Sequence, residues 1–182
     1  MSISTKKGDR GETSLVFGER VSKDDLRIEM LGCLDEMCCF LGLAKSRMKA
    51  DNNREVIEGI QRDLFVAGSQ IGTLERDSKK LSQTIDENYV AKIDRALHKL
   101  ENDKGFEVNG FCIPGESFLS GLLDTARALT RKAERRAVTL KRKGVLQNRY
   151  ILVYLNRISD LLYLMARFYS AHSQRLNDVG EK

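Results

Sequence analysis

Two stretches of the chain, far apart in sequence, carry residue types suited to anions. The first is Thr5-Lys6-Lys7-Gly8-Asp9-Arg10-Gly11-Glu12-Thr13-Ser14, and the second is Arg127-Ala128-Leu129-Thr130-Arg131-Lys132-Ala133-Glu134-Arg135-Arg136. The first has the flanking glycines and lysines of a flexible cationic loop. The second has the spacing of a cationic helix face. Lysine and arginine donors presented from a loop and a helix together form a grip for a polyphosphate. No G-x-x-x-x-G-K-S/T is present, so this is not a strand–loop–helix phosphate cradle.

Other chemistries find little support. His98 and His172 lie apart and read as surface residues. There is no G-x-S-x-G, no H-E-x-x-H and no inward Glu-x-x-His pair. Cys33, Cys38, Cys39 and Cys112 form no C-x-x-C spacing. They read as reduced thiols, mostly core fillers, of a cytoplasmic protein. With no protein nucleophile and no metal cage, catalysis would rest on positioning and charge stabilisation, the substrates carrying the reactive atoms.

The elements that must position these residues read as helices. The 182 residues are 41% hydrophobic and 31% charged, with one proline and no tryptophan, which fits a single soluble domain of long helices. The net charge of +5 matters through its clustering. No apolar run is long enough to span a bilayer. Asp9 and Glu12, with no amphipathic arginine pattern, argue against a mitochondrial presequence.

Residues 1–22 show no helical period and read as an extended, partly mobile arm. Helices are expected from about Ser22–Asp25 to Lys49, Arg54 to Leu74, Asp86 to Asn102, Glu116 to Lys143 and Leu146 to His172. Residues 75–85 and 105–115 read as loops. The expected fold is all-α, a five-helix up-down bundle over residues 23–174, with a tail at 175–182.

In the fourth helix, Leu119, Leu122, Leu123, Ala126, Leu129, Ala133, Ala137 and Leu140 form an apolar stripe at about 100° per residue. Arg127, Arg131 and Glu134 flank it. A solvated face with an ordinary Arg–Glu pair is the commoner outcome of such a pattern. The preference for arginine on the flank argues for recognition in a cleft or subunit seam. In the fifth helix Asn156, Asp160 and Arg167 stack opposite the apolar side, as a solvated face or one meeting another subunit. Asp35 sits amid Leu31, Leu34 and Met37, and either points to water or pairs with Arg127 or Arg131.

Several motifs occur in order: T-K-x-G-D-x-G-x-T, G-E-R-V-S-K-D-D, L-D-E, F-C-I-P-G, A-R-A-L-T-R-K-A-E-R-R and Y-L-N-R-I-S-D-L-L. From Thr5 to about Arg167 the chain resembles the PduO-type ATP:cob(I)alamin adenosyltransferases. The resemblance implies a ferritin-like helical bundle assembled as a homotrimer, with sites between subunits. It implies transfer of the 5′-deoxyadenosyl group of ATP to the cobalt of cob(I)alamin with release of triphosphate, magnesium accompanying the ATP. By the same resemblance, Thr5, Lys6, Lys7, Gly8, Thr13 and Lys23 belong to an ATP-binding arm. Arg131, Lys132, Glu134, Arg135 and Asn156 belong to the helical side of the ATP site. Asp35 and Arg127 resemble a pair across the subunit seam, and Phe111 resembles the aromatic residue beneath the corrin. Implied partners are a flavoprotein reductase and an adenosylcobalamin-dependent client enzyme. Lys132 stands where the family often has arginine, Leu26 where it often has proline, and Lys7 where Thr, Asn or Gly is usual.

The competing class is a helical nucleic-acid-binding or adaptor module, supported by the basic run from Arg127 to Lys143. It lacks a reading motif and interleaved aromatic residues, so nucleic acid is not an expected partner. A cobalamin carrier that delivers its cargo to a client is the third reading.

Overall fold

Aspartates start three of the helices by capping free N–H groups. Asp25 accepts from the Arg27 N–H at 2.7 Å and opens α1 (Leu26–Arg47). Asp51 accepts from the Arg54 N–H at 2.9 Å and opens α2 (Asn52–Ile71). Asp86 accepts from Asn88 and Tyr89 and opens α3 (Glu87–Glu101). At α4 (Phe118–Arg142) Ser117 and Ser120 cap each other's backbone reciprocally. The last helix, α5 (Arg149–Gly180), runs past residue 174, where the sequence suggests a tail. This computed structural model describes residues 6–103 and 112–180, with side chains described through Ser170.

The principal packing order is α2–α1–α4–α5–α3. The short links after α1 and α4 make each pair antiparallel. The all-α bundle expected from the sequence is therefore observed. Met30, Leu34, Met37, Leu41 and Ala44 of α1 are buried at three- and four-residue spacing. Truncating such a side chain to alanine costs about 2–5 kcal/mol. Tyr154 of α5 is fully buried; its hydroxyl donates to Asp63 of α2 at 2.8 Å and its ring meets Tyr89 of α3 edge-on at 6.4 Å. One side chain thus ties three helices together. Burial pushes the Tyr154 phenol well above its ordinary range, so it stays a donor. Burial also raises the Asp63 carboxyl, against the lowering effect of that hydrogen bond.

The structure also departs from the sequence reading in three further places. The segment 75–85 contains a 3-10 helix, Glu75–Lys80. The arm is not simply extended: β1 (Glu12–Ser14) and β2 (Arg20–Ser22) pair antiparallel, with Thr13 opposite Val21. The hairpin docks on the bundle, where the Val16 N–H donates to the Gly72 carbonyl at 3.0 Å. A Cβ on Gly72 would meet Val16 Cγ2 at 3.0 Å, so this approach favours glycine. Finally, Arg167 is 5% exposed rather than solvated. Because α5 packs against both α3 and α4, more than one stripe of it is covered.

Candidate functional site

The hairpin organises the arm's cations. Arg20 Nη2 donates to the Lys7 carbonyl at 3.0 Å and to Glu12 Oε2 at 3.2 Å, while its Nη1 donates to Ser14 Oγ at 3.3 Å. This draws residues 6–10 over the strands. The Lys23 N–H donates to the Gly11 carbonyl at 2.8 Å, so Lys23 returns to the start of the arm. Its side chain lies against Gly8, where an added Cβ would sit 3.2 Å from Lys23 Nζ. Lys6, Lys7, Arg10, Glu12, Ser14 and Arg20 line a depression of about 520 Å³. Its one carboxylate is already paired with Arg20, so Lys6, Lys7 and Arg10 remain to receive an anion. Thr13 sits on β1, half-buried. Thr5 lies outside the described residues.

Arg10 and Arg20 have no place in the sequence-based site set. Their role depends on a hairpin of three-residue strands, too short for alternation to reveal.

On α4 the cations divide between two faces. Arg127 and Arg131 line a cleft of about 600 Å³ with Asp94 and His98 of α3 and Arg157 and Tyr163 of α5. Arg131 is exposed, and among the described residues no hydrogen bond or ion pair engages its guanidinium. Lys132 turns to α1, its Nζ 2.8 Å from Glu36 Oε2, and that bond raises its pKa. Arg136 reaches Glu29 of α1 at 3.1 Å. Arg135 is exposed. Asn156 Nδ2 donates to Glu134 Oε1 at 3.4 Å and Asn156 Oδ1 accepts from Arg157 at 3.0 Å, joining two of the expected site residues.

Asp35 is elsewhere. It is exposed at the edge of an apolar groove of about 300 Å³ between α1 and α2, with Leu31, Leu34, Cys38, Leu64 and Phe65. Within the chain Asp35 does not meet Arg127 or Arg131. Arg127 instead pairs with Asp124, its Nε 3.1 Å from Asp124 Oδ1. Asp124 also pairs with Arg167. Asp124 does not stand out in sequence, because it looks like one more polar residue beside an apolar stripe, and Arg167 reads there as part of a solvated or subunit-facing side. Phe111 lies outside the described residues. Cys33 is buried, Cys38 half-buried and Cys39 exposed, so only part of the cysteine set fills the core. Among the described residues, no group of His, Cys, Asp and Glu could hold a metal ion, and no helix is long and apolar enough to cross a membrane.

An all-α bundle thus carries a cation-lined hairpin arm and an arginine-lined helical cleft, two surfaces suited to anions. The chain matches the cobalamin adenosyltransferase family over residues 3–169 and belongs to it. It is 33% identical over 165 residues to a corrinoid adenosyltransferase of Citrobacter freundii, covering 91% of this chain and 93% of that one. It is 34% identical over 185 residues to the corrinoid adenosyltransferase PduO of Salmonella typhimurium, of which it spans 53%. Among solved structures it resembles a phenylalanine-to-alanine variant of the PduO-type ATP:corrinoid adenosyltransferase from Lactobacillus reuteri complexed with cobalamin and ATP. The TM-score is 0.85 at 27% identity, covering 95% of this chain and 96% of that one.

Proposed function

We propose that this chain is an ATP:cob(I)alamin adenosyltransferase that works as a homotrimer in the cytoplasm. The observation that carries this reading, beside family membership, is the arm, where Lys6, Lys7 and Arg10 face one depression with Lys23 held against Gly8. A triphosphate has the charge and acceptor oxygens that such a cluster would neutralise.

In the reaction, the Co(I) electron pair attacks C5′ of ATP. A cobalt–carbon bond forms, the C5′–O bond breaks, and triphosphate leaves with the bonding pair. The nucleophile is strong, so no general base is needed. The protein's work is alignment and stabilisation of the leaving group. Lys6, Lys7, Gly8, Thr13 and Lys23 would hold the phosphates from the arm, joined by Thr5. Arg131, Lys132, Glu134, Arg135 and Asn156 would complete the nucleotide site, with Arg131 the leading leaving-group donor. Phosphate-bound magnesium fits a site without a protein metal cage, because magnesium commonly rides on substrate phosphates and would supply further charge neutralisation.

The placing of these residues supports the trimer reading. The arm cations, the Arg127–Arg131 cleft and Asp35 line three separate depressions of one chain. A second copy would bring its own set to meet them, with Asp35 of one copy opposite Arg127 of another. Phe111 would cover the lower cobalt face and favour the four-coordinate Co(II) state that a flavoprotein reductase then reduces. The product passes to an adenosylcobalamin-dependent client.

The deciding experiment is an anaerobic reaction of chemically reduced cobalamin, ATP and magnesium, followed by loss of the cob(I)alamin spectrum. Adenosylcobalamin and triphosphate in equal amounts are expected. A folded protein that forms neither, beside a competent control enzyme, would overturn the reading.

A further inference from the structure

Asp124 lies on the buried face of α4, 5% exposed. A carboxylate there needs strong partners, and it has two. Its Oδ2 accepts from Nη2 of Arg167, itself 5% exposed, and its Oδ1 accepts from Nε of Arg127 at 3.1 Å. Arg167 stacks on the ring of Tyr163, with its guanidinium carbon 5.7 Å from the centroid. Among the described residues Nε and Nη1 of Arg167 have no hydrogen-bond partner, and Asp124 is the one carboxylate it meets. The two side chains therefore fix one another, and neither can swing into solvent without stranding the other.

The consequence falls on Arg127, whose side chain is 27% exposed at the mouth of the α3–α4–α5 cleft. A hydrogen bond through Nε restrains the guanidinium and leaves its outer edge, formed by the two terminal nitrogens, open. Among the described residues neither terminal nitrogen has a partner. An open planar fork is suited to a carboxylate or another bidentate anion.

We infer that Asp124 is a positioning residue of the transfer reaction: anchored by Arg167 inside the bundle, it grips Arg127 by Nε and holds its open fork at the α3–α4–α5 cleft. This rests on the reading above that places Arg127 in the site. Asp124 touches no substrate and acts only through Arg127.

The test is a double-mutant cycle on the trimeric protein, measuring kcat and KM for cob(I)alamin and for ATP. Arg127→Ala and Asp124→Asn should each lower kcat/KM by roughly 10- to 100-fold, as expected when a catalytic group is misplaced by about an ångström. Both should change the same kinetic constant, and the combined variant should be no worse than either alone. A structural role for Asp124 would instead give losses that multiply, or leave Asp124→Asn at wild-type activity once folded, and either result overturns the inference. If Arg127→Ala is itself without effect, the placement of Arg127 in the site fails instead. Should Asp124→Asn not fold, Asp124→Leu with Arg167→Met removes the whole buried pair, a replacement that folds well in other proteins. That variant should show the same loss; normal activity in it would refute the positioning role. Arg127→Lys, on an intact interior, keeps the charge without the fork. It should lose activity as Arg127→Ala does, and full activity would mean that aim is irrelevant.

Discussion

Arg131→Ala should separate function from stability. Arg131 is exposed, and its guanidinium has no partner among the described residues. Its removal breaks no hydrogen bond or ion pair among the described residues, so the stability change should stay within about 0.5 kcal/mol. For a chain of this length that is a melting shift of roughly 1–2 °C. The catalytic cost is of a different size. A guanidinium about 4 Å from a triphosphate charge, at an effective dielectric constant near 20, interacts by about 4 kcal/mol. Mutational losses of one preorganised donor to a developing anion run at about 2.7–4 kcal/mol, a 10²- to 10³-fold fall in kcat. The two estimates agree. The assay is anaerobic single-turnover loss of the cob(I)alamin absorbance at saturating ATP, alongside a thermal melt and a measurement of oligomeric mass. Wild-type turnover in Arg131→Ala would refute the leaving-group role. A loss that tracked melting or dissociation would refute the reasoning that Arg131 is structurally unencumbered.

The remaining predictions concern the arm and the buried Tyr154 contact. Gly8→Ala should displace the tip of Lys23, which an added Cβ would approach to 3.2 Å, and raise KM for ATP several-fold with an unchanged circular dichroism spectrum; an unchanged KM would separate Lys23 from the nucleotide. Tyr154→Phe removes a 2.8 Å hydrogen bond to a half-buried carboxylate and should cost about 1.5–3 kcal/mol in denaturant unfolding. Asp63→Asn should act in the opposite direction at neutral pH. Burial raises the Asp63 carboxyl above its unfolded value of 3.8, so the native state holds its proton longer and stability falls as pH rises through that window. The asparagine variant should therefore melt higher than wild type at pH 7. The difference should vanish as the pH drops below the unfolded value. A gap that widened in acid would reverse the sign of the argument.

The helices were legible because their signals are local. Asp25, Asp51 and Asp86 each cap the helix that follows, and Gly144 lies just beyond the end of α4 with φ of 70°, a conformation glycine adopts without strain. The hairpin is not legible, because two three-residue strands offer no run of alternation, and with it goes the placing of Arg10 and Arg20 in one depression.

The pairing of Asp124 with Arg167 was hidden for a different reason. A helical wheel reports which residues share a face, but not how many neighbours cover that helix. On α5, Leu161, Leu162, Met165, Ala166, Arg167 and Ser170 are all buried, because the helix packs against both α3 and α4 and more than one stripe of it is covered. Once that face is closed, a cation on it must have a carboxylate, and α4 supplies one from 43 residues earlier. Asp35 and Arg127 illustrate the opposite limit. Each carries the chemistry that would satisfy the other, yet they occupy different depressions of one chain. Arg127 keeps a free fork, and Asp35 has no cationic partner among the described residues. Complementary charges that a fold leaves facing outward are what an assembly of identical chains can use, since each copy offers both halves of the pair.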